Sequence, residues 1–332
     1  MTASSRRLWT AITALVILGS VPGLADEAGS REDILVPAAQ EPSWDVIEDR
    51  ITKGLRALDE IAPFEDKAPL WDYVDRELQA ETDRALRDLE LADDARRKRL
   101  AVVLVDVTDT EHPRVATVNG DEMMYAASLP KIAVLLAAFE KIAEGKMKLD
   151  LQTEWQLQKM IKASSNEAAT AMMHKVGKEY IARVLLSPRY RLYDPKHNGG
   201  LWVGKDYAKA GLWRRDPLHN LSHGATAMQV ARFYFLLETE NLVTPKHSRK
   251  MKEILGHSLL RHKFVKAMNR INPAALLFRK SGSWRTYHSD SAIVQHDGRK
   301  YIAVVLSNDK NGAVWLDEIL TALDNIIFTS NS

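Results

Sequence analysis

Cysteine is absent from this 332-residue chain. That excludes disulfides, thiolate zinc sites and a cysteine nucleophile. An excess of one charge is missing too: 46 Lys and Arg face 44 Asp and Glu, for a net charge of +2. So even a balance gives no broad field to attract nucleic acid, and no nucleic-acid-binding motif accompanies it. There is no internal repeat, no low-complexity tract and no Gly-x-Ser-x-Gly elbow. What is present is ordinary for a protein with a real core. Hydrophobic residues make up 45% and charged residues 27%, enough for one large domain or two smaller ones.

The chain divides into three. Residues 1–25, "MTASSRRLWTAITALVILGSVPGLA", carry Arg6 and Arg7, an apolar run and a small-residue end at Gly23-Leu24-Ala25. This is the layout of a cleaved export signal and implies a periplasmic or secreted protein. The apolar run is short for a membrane span of about 20 residues. The alternative is an uncleaved anchor, the one membrane contact expected. Residues 26–97 read as a helical extension. Trp44, Ile47, Ile51, Leu55 and Leu58 recur at helical spacing before Pro63, and a second helix through 70–91 has Val74, Leu78, Leu86 and Leu89 on its apolar side. Residues 98–330 form the main domain.

That domain opens with "RLAVVLVDV", a strand, and "RVATVNGDEM", its hairpin partner. "YAASLPKIAVLLAAFEKIAEGK" (125–146) follows as a helix that is apolar on every face, hence central to the domain. Gly145 is its C-terminal stop. Pro130 is tolerated in a first helical turn, which puts Ser128 at the helix start. Residues three apart share a face, so the Lys131 amine comes alongside the Ser128 hydroxyl. Serine needs a base to become a nucleophile. A lysine can serve if burial and a nearby cation bring its pKa well below its usual value of about 10.4.

Ser-x-x-Lys alone is weak, and a second instance at Ser307–Lys310 lies in a turn without a helix start. Two further motifs add weight. Ser164-Ser165-Asn166 opens another helix and is the chain's one Ser-x-Asn. Lys280-Ser281-Gly282 begins a late strand, followed by the strands "SDSAIV" and "YIAVVLS" around the turn "HDGR". Taken in order, the three motifs resemble the active-site signature of class A β-lactamases and penicillin-binding proteins. The resemblance covers roughly residues 98–328. It implies an α+β fold, an α/β/α sandwich with a central antiparallel sheet beside an all-α subdomain, with the active site between them.

The resemblance also implies roles. Ser128 is the acylated nucleophile and Lys131 its base. Ser164 relays a proton to the leaving nitrogen. Asn166 holds the substrate amide. Lys280 polarises Ser164 and depresses the Lys131 pKa. Ser281 binds the substrate carboxylate, and Gly282 leaves room for substrate along the strand edge. The backbone amides of Ser128 and Ser283 form the oxyanion hole. No cofactor or metal is called for. The expected partner is a small β-lactam or cell-wall peptide, and a monomer is expected.

The chain departs from class A lactamases in places. The interval from Ser128 to Ser164 is short, so the helical subdomain is expected to be trimmed. Ser165 stands where the family has aspartate. Most consequentially, the loop 193–229 has no glutamate to position a hydrolytic water. Its acids are Asp194, Asp206 and Asp216. Asp216 has the spacing to Asn220 that deacylation would use, but it also reads as a turn residue before Pro217. A shortfall of about 1 Å in reach matters for a positioned base.

Other constellations carry less. His219 and His223 stand four apart without the glutamate of a metallopeptidase helix. His288 and Asp290 could suggest a Ser-His-Asp set, but a lysine already serves Ser128. Arg285 reads equally as a carboxylate binder or a surface arginine. The sequence therefore implies an exported serine hydrolase that opens a β-lactam amide. The alternatives are a D-alanyl-D-alanine peptidase and a binding protein that is acylated without turnover.

Overall fold

The computed structural model describes residues 69–208 and 213–329. The expected export signal and the expected helix around Trp44–Leu58 lie outside these residues. After a short 3-10 turn at Leu70–Tyr73 come helices α1 (Arg76–Asp88) and α2 (Ala92–Arg96). Strands β1 (Leu100–Asp106), β2 (Arg114–Val118) and β3 (Met124–Tyr125) follow. Next is a run of helices: α3 (Lys131–Ala143), α4 (Leu151–Lys162), α5 (Asn166–Val176) and α6 (Lys178–Leu186). Four short strands belong to the next stretch: β4 (Tyr193–Asp194), β5 (Gly199–Gly200), β6 (Trp202–Val203) and β7 (His223–Ala225). Then come α7 (Ala227–Glu238), α8 (Pro245–Leu255) and α9 (Phe264–Ile271). The chain ends with β8 (Leu276–Trp284), β9 (Tyr287–His296), β10 (Arg299–Asn308) and α10 (Gly312–Thr329).

The main sheet is antiparallel, in the order β2-β1-β10-β9-β8. Strand β1 is buried throughout and apolar from Leu100 to Val105 because both faces are covered. Ala101, Val103 and Val105 face one core together with α3 and α7. Leu100, Val102 and Leu104 face the other with α1, α9 and α10. This is the period of two along a strand, and it explains why "LAVVLVD" does not alternate with polar residues. Leu78 and Leu86 of α1 are buried in the second core, so α1 packs on the sheet. Leu89 packs there partly, but Val74 lies outside the helix and is 46% exposed.

Helix α3 is buried from Lys131 through Glu140, with α4, α5, α6 and α8 around it. Its apolar circumference is thus the signature of a central helix. It ends at Ala143, and Gly145 takes φ +70 just beyond, the left-handed stop that glycine permits.

One buried ion pair fixes the late strands. Arg279 Nε donates to Asp290 Oδ1 at 2.8 Å and its Nη2 to Oδ2 at 2.7 Å. Arg279 also donates to Ser258 Oγ and Leu260 O, both at 3.1 Å. The Phe264 amide, at the start of α9, donates to Asp290. The loop ahead of α9 is thereby tied to β8 and β9.

Candidate active site

Ser128 lies in a turn just before α3, not in its first α-helical turn. The amides of Leu129, Lys131 and Ile132 donate to carbonyls three residues back, at Ala126, Ser128 and Leu129. Pro130, with φ −64, caps the helix. Ala127 has φ +51, an uncommon state for a residue with a side chain, and one found at sites where the backbone is held under strain.

The second motif sits between α4 and α5. Ser165 caps α5, its hydroxyl accepting from the Ala168 amide at 3.1 Å. Ser164, one residue earlier, is left-handed at φ +56. Lys131 Nζ donates to Ser164 O at 2.6 Å, Ser164 Oγ at 3.4 Å and Asn166 Oδ1 at 2.9 Å. Lys280 Nζ donates to Ser164 Oγ at 2.8 Å and to Ser281 O at 2.6 Å. Two lysines from opposite ends of the domain thus converge on one hydroxyl. The third motif lies in the interior of β8, not at its start.

Strand β8 is the outer strand of the sheet, so its far edge is free to meet a ligand. Gly282 is required there. A Cβ would stand 2.2 Å from Ala126 O and 2.8 Å from the Ser128 amide nitrogen. The Gly282–Ser283 stretch therefore runs against the Ser128 amide, where the sequence places the oxyanion hole. Ser281 is buried. Lys263, also buried, carries no motif in the sequence to mark it. It donates to Gly282 O at 2.6 Å and Ser283 Oγ at 2.8 Å, and burial brings its pKa down to about 8.

Lys131 has no solvent exposure. Burial lowers its pKa from 10.5 to about 7, partly opposed by the Glu167 carboxylate. Lys280 falls well below the ordinary lysine value, first through burial and then through the Lys131 and Arg279 charges. The sequence reading credits Lys280 with depressing Lys131, whereas here burial leads for both. Proton transfer from Ser128 to Lys131 requires the neutral amine, so acylation should fail as pH drops through about 7. Lys280→Met keeps bulk and removes charge. It is expected to slow acylation but to move the acidic limb by less than about half a pH unit. A pH–rate profile of fluorescent-penicillin labelling checks this, and a rise of a full unit would restore Lys280 as the cause.

The loop acids serve the loop. Asp194 accepts from the Lys196 amide. Asp206 pairs with Lys178 at 2.7 Å and His174 at 3.0 Å. Asp216 is buried and accepts from Tyr193 Oη at 2.9 Å and from the amides of Leu218, His219 and Leu221 at 3.1, 3.0 and 2.6 Å. Four hydrogen bonds, three of them from amides of its own turn, commit Asp216 to holding that turn. Asn220, exposed at φ +56, accepts from Arg215 through its carbonyl.

His288 meets Ser283 Oγ through Nδ1 at 3.3 Å, while Asp290 is committed to Arg279. No Ser-His-Asp set is formed by them. Arg285 sits at the β8–β9 turn over the Trp284 ring. His219 bonds Asn198, whereas His223 is buried against Tyr207. Among the described residues no cluster of potential metal ligands occurs.

A serine in the turn before a central helix, a lysine pair on a second serine and a glycine-backed strand edge on this sheet define the class of serine β-lactamases and penicillin-binding proteins. The sequence matches the model of the Beta-lactamase enzyme family over residues 81–158 and 151–326. The chain belongs to that family. It is similar in structure to PBP-A, with TM-score 0.57 and 13% identity over 76% of this chain and 96% of that one. A PBP-A mutant in its acyl-enzyme complex with penicillin-G gives TM-score 0.57 and 14% identity, over 78% and 98%. A β-lactamase from Sphaerobacter thermophilus gives TM-score 0.56 and 14% identity, over 74% and 95%. No curated protein matches the sequence.

Proposed function

We propose that this protein is a serine hydrolase that opens a β-lactam amide through an acyl-enzyme on Ser128 and releases the product slowly. The observation that carries the reading is the convergence of Lys131 and Lys280 on Ser164, beside the turn that holds Ser128. In the first step Ser128 Oγ bonds to the lactam carbonyl carbon and Lys131 takes its proton. As the C–N bond breaks, Ser164 passes a proton to the leaving nitrogen. Donors fixed at the oxyanion can be worth roughly 3 kcal/mol each to the transition state. The likeness to a PBP-A acyl-enzyme supports the covalent step.

Slow release is supported by the loop, whose three acids are all engaged elsewhere. A stopped-flow trace with a chromogenic cephalosporin should show a burst near one equivalent and then a slow steady rate. Fast linear turnover without a burst would refute slow release. Liberation of D-alanine from a cell-wall pentapeptide would favour the peptidase reading, and a permanent adduct the binding one. The reading includes export, supported by the Arg6-Arg7 start and the apolar run behind it.

A further inference from the structure

Tyr207 lies in the β6–β7 connection, in the same stretch whose acids are spent elsewhere. Its ring centroid is 4.5 Å from Lys131 Nζ. Its hydroxyl is 3.4 Å from Ala127 O, one residue before Ser128. The His223 imidazole stacks on it at 4.2 Å with an interplanar angle of 1°. Amine and imidazole thus both lie against the phenol ring, the imidazole bracing it and the ring covering the amine.

His223 is itself fixed and neutral. Its carbonyl accepts from the Ala126 amide at 2.9 Å. Burial, with the Lys131 and Lys205 charges, brings its pKa down to about 3. The brace therefore adds no second positive charge beside Lys131. Its Nδ1 is buried without a hydrogen-bond partner, so stacking is the contact the imidazole makes with Tyr207.

We propose that Tyr207 is a positioning residue for Lys131: its ring, braced by His223, is the wall that keeps water from the amine and so sets the pH above which Ser128 can be acylated. The consequence for acylation rests on the reading of Lys131 as the Ser128 base. The wall itself does not.

Two effects of the ring oppose each other. An aromatic face favours a cation, whereas exclusion of water disfavours it. Burial is the leading cause of the lowered Lys131 pKa, and the ring is part of what buries the amine, so opening it to water should raise that pKa. The other groups facing Lys131 are Ser164, Asn166 and Glu167 from the α4–α5 turn and the start of α5, Lys280 from β8 and His223 from β7. Of these, only His223 touches residue 207, through the stacked rings.

The test follows the Lys131 side chain directly. In the full chain with 13Cε-labelled lysine, the Lys131 signal is assigned by its loss in Lys131→Arg and titrated by NMR. Tyr207→Phe keeps the wall and should leave the midpoint near that of the wild type. Tyr207→Ala opens the amine to water and should raise the midpoint by about one unit or more, a tenfold change in the protonation equilibrium. Tyr207→Gln, polar but of similar reach, should raise it too and serves if the alanine variant does not fold. An unmoved midpoint in a folded Ala or Gln variant overturns the proposal, as does a Phe variant that shifts as far as Ala.

Fluorescent-penicillin labelling is run alongside. Its acidic limb should move with the NMR midpoint. Absence of labelling in the wild type would defeat the lactam reading while leaving the titration to decide the wall. A purely structural Tyr207 would lower labelling at every pH without moving either midpoint.

Discussion

Lys131→Arg is expected to abolish acylation of Ser128 at every accessible pH. Arginine keeps its proton to beyond pH 12, so the variant offers a cation where Ser128 needs a proton acceptor. Position 131 has no solvent exposure, and its amine is held by Ser164 and Asn166. Burial shields this position from bulk solvent. General-base catalysis typically contributes 10²–10⁴-fold, and the labelling rate with a fluorescent penicillin should fall by at least about a thousandfold. Mass mapping of the wild-type adduct should place it on the peptide with Ser128, and Ser128→Ala should carry none. Labelling of Lys131→Arg at a near wild-type rate would remove Lys131 from the mechanism. Unchanged labelling of Ser128→Ala would remove the nucleophile.

Asp290→Ala should be the most destabilising single change in the domain. Its partner, Arg279, has a side chain 1% exposed, and Asp290 is 0% exposed. Truncating the acid leaves a guanidinium buried and uncompensated, a loss of about 3–5 kcal/mol. Native stabilities are about 5–15 kcal/mol in all. The loop ahead of α9 would also lose its anchor, and Lys263 with it. Calorimetry should show a fall in melting temperature of about 10 °C or more. The double change Arg279→Met with Asp290→Leu removes both charges and should recover much of that fall. A loss below about 1 kcal/mol for Asp290→Ala would mean that water reaches Arg279.

Local signals in the sequence carry much of this architecture. A helix apolar all round had to be central, and α3 is. The strands after Lys280 follow their β-branched runs and the turn at 296–299. Ser164 and Ser165 show their place because a cap residue is a local property. What escapes is set by distant contacts. Ser128 precedes the α-helix because Pro130 caps it, a choice of backbone angle that the motif leaves open. Lys-Ser-Gly falls in mid-strand because β8 pairs with β9 along its whole length. Val74 fits a helical period but lies outside the helix. The acids of the loop draw attention, since hydrolysis calls for a base. Its tyrosine has no periodicity to mark it, and only the folded chain brings Tyr207 over Lys131. Asp216 had two readings from sequence, and its four hydrogen bonds favour the turn.

The sheet order has a consequence for synthesis. Strand β1 is flanked by β2, its neighbour in sequence, and by β10, with Leu100 opposite Ser307. A ribosome must therefore have made nearly the whole chain before the sheet can close. Until then the β8–β9 hairpin has no β10 to join it to β1, so Lys280 and the Gly282 edge are not held beside Ser128. Such long-range pairing is slow compared with helix formation. A nascent or truncated chain lacking β10 should thus be unreactive towards penicillin even with Ser128, Lys131 and Ser164 already made. Reactivity would appear only once the last strand is in place, which makes covalent labelling a clock for the completion of folding.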